Sequence, residues 1–190
     1  MKAETASERL PIVRLAVKGG CPVCAAVKHF QDSLSGHLRA DGGTQLCNFH
    51  AWLLAKSAPA EVAASLFLDA LRAGESNKST ASPSSCIACN KVHEEESTRL
   101  KEVARELERP AMAEWLEQHA TFCLRHIHEL KNRAPASSQK RIEKLRIKNK
   151  LEIEAELEGF LEHARKGDHT GGGVLGRAAE FLVAQRGILD

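Results

Sequence analysis

Residues 46–52 read LCNFHAW, and residues 122–128 read FCLRHIH. Each stretch sets a cysteine and a histidine three residues apart, Cys47 with His50 and Cys123 with His126. On a helix, residues three apart share a face with Cβ atoms roughly 5–6 Å from each other. Each pair can therefore aim at one point. Upstream of each lies a second pair at the same spacing. CPVC supplies Cys21 and Cys24, and CIAC supplies Cys86 and Cys89. The order C-x2-C…C-x2-H runs twice and uses all six cysteines. The intervening segments are 22 residues (25–46) in the first copy and 33 (90–122) in the second. Repetition on this scale points to duplication of one supersecondary unit.

The flanking sequence is helical. Val23, Val27, Phe30, Leu34 and Leu38 recur at intervals of three and four, and a second helix is expected to run through Val62, Leu66, Leu68 and Leu71. Pro59 stands at a helix start and Gly74 at a stop. A further helix is expected from Cys86 to before Pro110, then short helices over AMAEWLEQHA and FCLRHIHELKN, ended by Pro135. A long helix is expected over about 138–166, and a closing amphipathic helix from Val174 to about Arg186. No segment alternates with period two, so the fold class is all-α. The expected organisation is a single helical domain over 1–190. It comprises pseudo-repeat one (18–74), a polar linker (75–85), pseudo-repeat two (86–134) and C-terminal helices (137–188).

Composition narrows the function. Apolar residues make up 43% of the chain, enough for a core, and aromatic residues only 4%. The net charge of +2 gives no whole-chain argument for nucleic acid. The first twenty residues lack the apolar core of a signal peptide, and no run approaches the length of a membrane span. A cytoplasmic location is the expectation, and six cysteines in a reducing compartment need a use other than disulfides.

Metal binding is that use. A helical hairpin would fold each C-x2-C onto the C-x2-H of its own repeat. The ligands would then be Cys21, Cys24, Cys47 and His50 in one centre and Cys86, Cys89, Cys123 and His126 in the other. Cys3His is a structural zinc composition, four-coordinate and closed to water. An iron–sulfur cluster such as [4Fe-4S] on the same ligands is the alternative, although clusters are usually held by four cysteines. A C-x2-C thiol oxidoreductase is a second alternative. It expects a βαβ context and leaves the C-x2-H pairs unexplained. His29 and His93 stand near the C-x2-C pairs and could replace a C-x2-H histidine. His163 and His169 could form a minor polar site. No Ser–His–Asp set or phosphate loop is legible, so no catalytic residue is assigned.

The long helix is charged in blocks. Lys140, Arg141, Lys144, Arg146, Lys148 and Lys150 precede Glu152, Glu154, Glu156, Glu158 and Glu162. This order opposes the helix dipole. The basic block could meet an anionic partner, nucleic acid included, or be neutralised within the helix by pairs such as Lys148–Glu152 and Lys150–Glu154. The segment lacks aromatic residues for base stacking.

With these motifs in view, the chain resembles an uncharacterised prokaryotic family of helical proteins with duplicated C-P-x-C…G-x-C-x-x-H units. The likeness spans about residues 18–188 and includes the long helix ending at HARKGDH and the closing helix GRAAEFLVAQRGIL. Ile87 stands where the family has proline, and Gln45-Leu46 where Gly-Phe is common. The resemblance implies the fold and the grouping of ligands. It brings no activity, so the expected role is a metal-binding module for an unidentified protein partner.

Overall fold

A computed structural model describes residues 12, 20–38, 46–74, 86–167 and 173–183. The expected linker 75–85, His169 and the end of the closing helix lie outside the described residues.

The described residues are helical, with no strand among them. The elements are α1 (Pro22–Asp32), α2 (Leu34–Leu38), α3 (Asn48–Ser57), α4 (Ala60–Gly74), α5 (Ile87–Glu106), α6 (Pro110–His119), α7 (Leu124–Arg133), a 3-10 turn (Ala136–Ser138), α8 (Gln139–Arg165) and α9 (Gly173–Val183). The periodic segment 21–38 is therefore two helices rather than one. The break falls at Ser33, whose hydroxyl donates to the Phe30 carbonyl at 3.0 Å. Such side-chain-to-backbone bonds compete with the helical ladder.

The chain forms two compact units, and they do not follow the repeats. The first comprises residues 1–26 and 98–190, the second residues 27–97. In the second, Leu34, Leu38, Leu54, Val62, Leu66 and Ala88 form a buried core with Cys47 and Cys86. In the first, Val23 and Ala26 from the start of α1 join Leu100, Val103, Leu116, Phe122, Ile127, Leu130, Ile142 and Leu145. Each fully buried leucine here contributes roughly 1.5–3 kcal/mol relative to exposure. The helix α8 packs against α6, α7, the 3-10 turn and α9, and α9 also packs on α7. Its buried face is Ile142, Leu145, Asn149 and Ile153, spaced three or four apart.

The charge blocks of α8 are largely neutralised within the chain. Lys148 lies 3.4 Å from Glu152, Lys150 3.2 Å from Glu154 and Arg146 2.7 Å from Glu143. Lys144 pairs with Glu117 of α6.

Candidate metal centres

All four motifs place their residues in the same way. Cys21, Cys47, Cys86 and Cys123 each immediately precede a helix. Their carbonyls accept the first helical hydrogen bonds, from Ala25, Ala51, Asn90 and Ile127, at 2.9–3.1 Å. Each is thus an N-cap, and extended backbone is seen directly at Cys47 (φ −73°, ψ 164°) and Cys123 (φ −69°, ψ 156°). The motif's second residue, Cys24, His50, Cys89 or His126, then falls at the third helical position. Those are the two places a capping box would fill with hydrogen-bonding side chains. Here the N-cap side chains of Cys47 and Cys123 make no capping bond and turn to a shared centre instead.

The eight residues gather into two groups of four, each of three cysteines and one histidine. These are the eight candidates read from the sequence, but their partners are exchanged between the repeats. Cys21 and Cys24 meet Cys123 and His126, and Cys86 and Cys89 meet Cys47 and His50. The expected closure of each C-x2-C on its own C-x2-H is therefore overturned. The cause is the packing described above. The start of α1 belongs to the core built by Phe122, Ile127 and Leu130. The start of α5, at Cys86 and Ala88, belongs to the core built by Leu54 and Leu66. Each centre consequently lies wholly within one unit.

In the first centre, His126 Nδ1 lies 3.2 Å from Cys21 Sγ, 3.4 Å from Cys24 Sγ and 3.2 Å from Cys123 Sγ. Cys24 Sγ is 3.8 Å from Cys123 Sγ. In the second, His50 Nδ1 lies 3.4 Å from Cys47 Sγ, 3.6 Å from Cys86 Sγ and 3.3 Å from Cys89 Sγ. Cys47 Sγ is 3.6 Å from Cys89 Sγ. Within each group all four donor atoms lie within 4.8 Å of one another. No disulfide links any of the six cysteines.

The electrostatics fit a cation at both points. Three thiols and an imidazole this close cannot all present lone pairs without a compensating positive charge. In the second centre, burial opposes ionisation of Cys86, but bonds from His50 and from the backbone at Cys47 and Cys89 outweigh it, bringing its pKa to about 6. Burial and the neighbouring thiols of Cys47 and Cys86 push Cys89 up to about 12. In the first centre, hydrogen bonds from the Cys21 and Cys24 thiols hold Cys123 far below the usual thiol range, while burial raises Cys21. One thiolate per centre, Cys123 or Cys86, is thus favoured, and one neighbouring thiol, Cys21 or Cys89, is held protonated. Two helix N-termini converge on each centre and add partial positive charge.

The two centres differ in their surroundings. All four residues of the first are buried, whereas Cys89 of the second is partly exposed. Around the first, the Cys21 amide donates to Glu180 Oε1 at 2.9 Å. Asn149, fully buried on α8, donates through Nδ2 to the Phe122 carbonyl at 3.2 Å, next to Cys123. Sequence reasoning missed both residues, because neither belongs to a motif. In the second centre the Phe49 ring meets His50 edge-on with centroids 5.0 Å apart. His50 Nε2 is buried with no hydrogen-bond partner among the described residues.

Among the described residues, His29, His93, His119, His128 and His163 stand apart from both groups. His29 and His128 are exposed, and His93 lies 3.5 Å from Glu96. His163 is exposed, with Nδ1 2.7 Å from the Gly159 carbonyl. No helix among the described residues is long and apolar enough to cross a membrane. Compared with protein-family models, with curated proteins and with solved structures, the chain matches none.

Proposed function

We propose that the protein is a zinc protein with two structural Cys3His centres, serving as a binding or adaptor module. The donor spacing carries this reading. Ligands on one tetrahedral zinc, with Zn–S about 2.3 Å and Zn–N about 2.0–2.1 Å, are separated by about 3.5–3.8 Å along the tetrahedron's edges. The S···N separations of 3.2–3.6 Å and S···S separations of 3.6 and 3.8 Å match that figure with little adjustment. In an iron–sulfur cluster the protein ligands are distributed over different irons. Four donors that can all neighbour one point favour a single ion. Four protein ligands leave no open position for water or substrate, which favours structure over catalysis. The thiol-oxidoreductase reading is disfavoured because each C-x2-C is engaged with a C-x2-H, and five of the six cysteines are buried.

Elemental analysis tests the reading. Protein purified without oxygen should carry about two zinc per chain, no acid-labile sulfide and no visible colour. Cobalt substitution should give the intense visible bands of tetrahedral thiolate coordination at two equivalents. Brown protein containing iron and sulfide would instead establish the cluster reading.

A further inference from the structure

We infer that the exposed face of α8 pairs with the same face of a second copy of this chain, antiparallel, about a two-fold axis level with Asn149. Opposite the buried face of α8 runs a solvent-facing stripe of Lys140, Lys144, Ile147, Leu151, Glu154 and Glu158, at alternating intervals of three and four residues. Ile147 and Leu151 are 46% and 58% exposed, and with Lys140 and Lys144 they line a shallow apolar groove. The stripe is self-complementary about position 149. Ile147 and Leu151 lie two residues to either side, Lys144 and Glu154 five, and Lys140 and Glu158 nine. Reversing a copy against itself therefore sets Ile147 on Leu151 and Lys140 on Glu158, each contact occurring twice, as an isologous interface requires, and brings Lys144 near Glu154, although these two are already paired with Glu117 and Lys150 of their own chain.

Charge order decides the occupant. Bases in the first half of α8 and acids in the second oppose its dipole. An antiparallel copy places its acids beside those bases and its dipole in the opposing sense. A nucleic acid would be repelled by Glu154 and Glu158. Lys148 and Lys150, which flank the axis, are already paired with Glu152 and Glu154 of their own chain. This lowers the repulsion between like charges at the crossing. One helix pair is a small interface, so the dimer is weak and reversible.

Sedimentation equilibrium of the full, zinc-loaded chain under reducing conditions, from about 10 to 500 μM, tests the inference. A reversible monomer–dimer equilibrium is expected. Lys140→Glu or Glu158→Lys alone should each raise Kd roughly tenfold, because two exposed pairs turn repulsive. The double variant, with both charges exchanged, should restore it, and Leu151→Glu should abolish the dimer. Lys140 and Glu158 are exposed, so these changes should leave the helical circular dichroism unaltered. A monomer throughout the range, or a dimer indifferent to the single reversals, overturns the inference. A monomer that captures a different protein on this face would overturn it equally.

Discussion

Cys24 Sγ lies 3.8 Å from Cys123 Sγ across 99 residues of sequence, closing the first centre between the two repeats rather than within one. The exchange makes a prediction that separates it from closure within each repeat. In zinc-loaded protein the bound thiols should resist alkylation. In His50→Ala, Cys47, Cys86 and Cys89 should become labelled by iodoacetamide while Cys21, Cys24 and Cys123 stay protected. Peptide mapping by mass spectrometry reads this directly. Labelling of Cys21 and Cys24 together with Cys47 would mean that each repeat closes on itself.

Chelation should remove the metals in order. The second centre has a partly exposed Cys89 and a buried His50 Nε2 with no partner among the described residues. An unsatisfied buried donor costs about 1–3 kcal/mol, and histidine ligands are usually oriented by a bond at their other nitrogen. Titration with a strong chelator should show two phases, with Cys47, Cys86 and Cys89 exposed first. The chain's two tryptophans, Trp52 and Trp115, fall one in each unit. Trp115→Phe and Trp52→Phe variants therefore follow the units separately. Full removal should destabilise both units, lowering the urea midpoint of each, because structural zinc contributes folding free energy outright.

Local features were legible in the sequence and the long-range pairing was not. The spacing of Cys47 and His50 fixes a shared helical face. The apolar period placed α8 at 138–166 against the observed Gln139–Arg165. Nothing in a spacing of three says which second pair will arrive. Segments of 22 and 33 residues can close on either, and loop-closure entropy changes only slowly with length. The choice was made by Val23 and Ala26 packing with Phe122 and Ile127, a contact between residues about 100 apart. Asn149 was invisible for the same reason. It interrupts an apolar face, and only the Phe122 carbonyl opposite explains it.

The approach to Cys21 should be intolerant of a side chain. Gly20 has φ +77°, and a Cβ there would lie 2.9 Å from Glu180 Oε1, the oxygen that accepts the Cys21 amide. Gly20→Ala should lose about 1–2 kcal/mol from the left-handed backbone alone and disturb that bond as well. Glu180→Ala should weaken zinc at the first centre by roughly 10–100-fold, as outer-shell changes do. Glu180→Gln, which keeps an acceptor oxygen, should stay close to wild type. Competition with a metal indicator provides the measurement.

Metal-free protein should show a stability maximum in its second unit near pH 9. Cys86 is depressed in the fold to about 6 from the usual 9, so its contribution is complete above pH 9 and disappears as pH falls through 6. Cys89 is raised to about 12, so its contribution is complete below pH 9 and disappears as pH climbs towards 12. Urea midpoints of chelator-treated Trp115→Phe protein, followed through Trp52, should rise from pH 6 to 9 and fall beyond it. A midpoint that is flat between pH 6 and 9 would contradict the Cys86 assignment.

Asn149 should matter to both the fold and the first centre. Its amide is fully buried, with Nδ2 bonded to the Phe122 carbonyl and Oδ1 without a partner among the described residues. Asn149→Ala leaves that carbonyl unpaired and opens a void, at a cost of about 1–3 kcal/mol for the lost polar partner. Asn149→Leu keeps the branched four-atom outline and leaves no void, but its bulkier methyl groups crowd the site, so it should cost a comparable amount in global stability, about 1–3 kcal/mol. Neither variant can hold Phe122, so in both the segment carrying Cys123 is freed. Both should therefore release zinc from the first centre faster than wild type, while the second centre, in the other unit, is unchanged. Stopped-flow chelation with global unfolding measured alongside separates the two effects. An Asn149→Leu protein with wild-type stability and wild-type zinc release would show that the Asn149–Phe122 bond does not position Cys123.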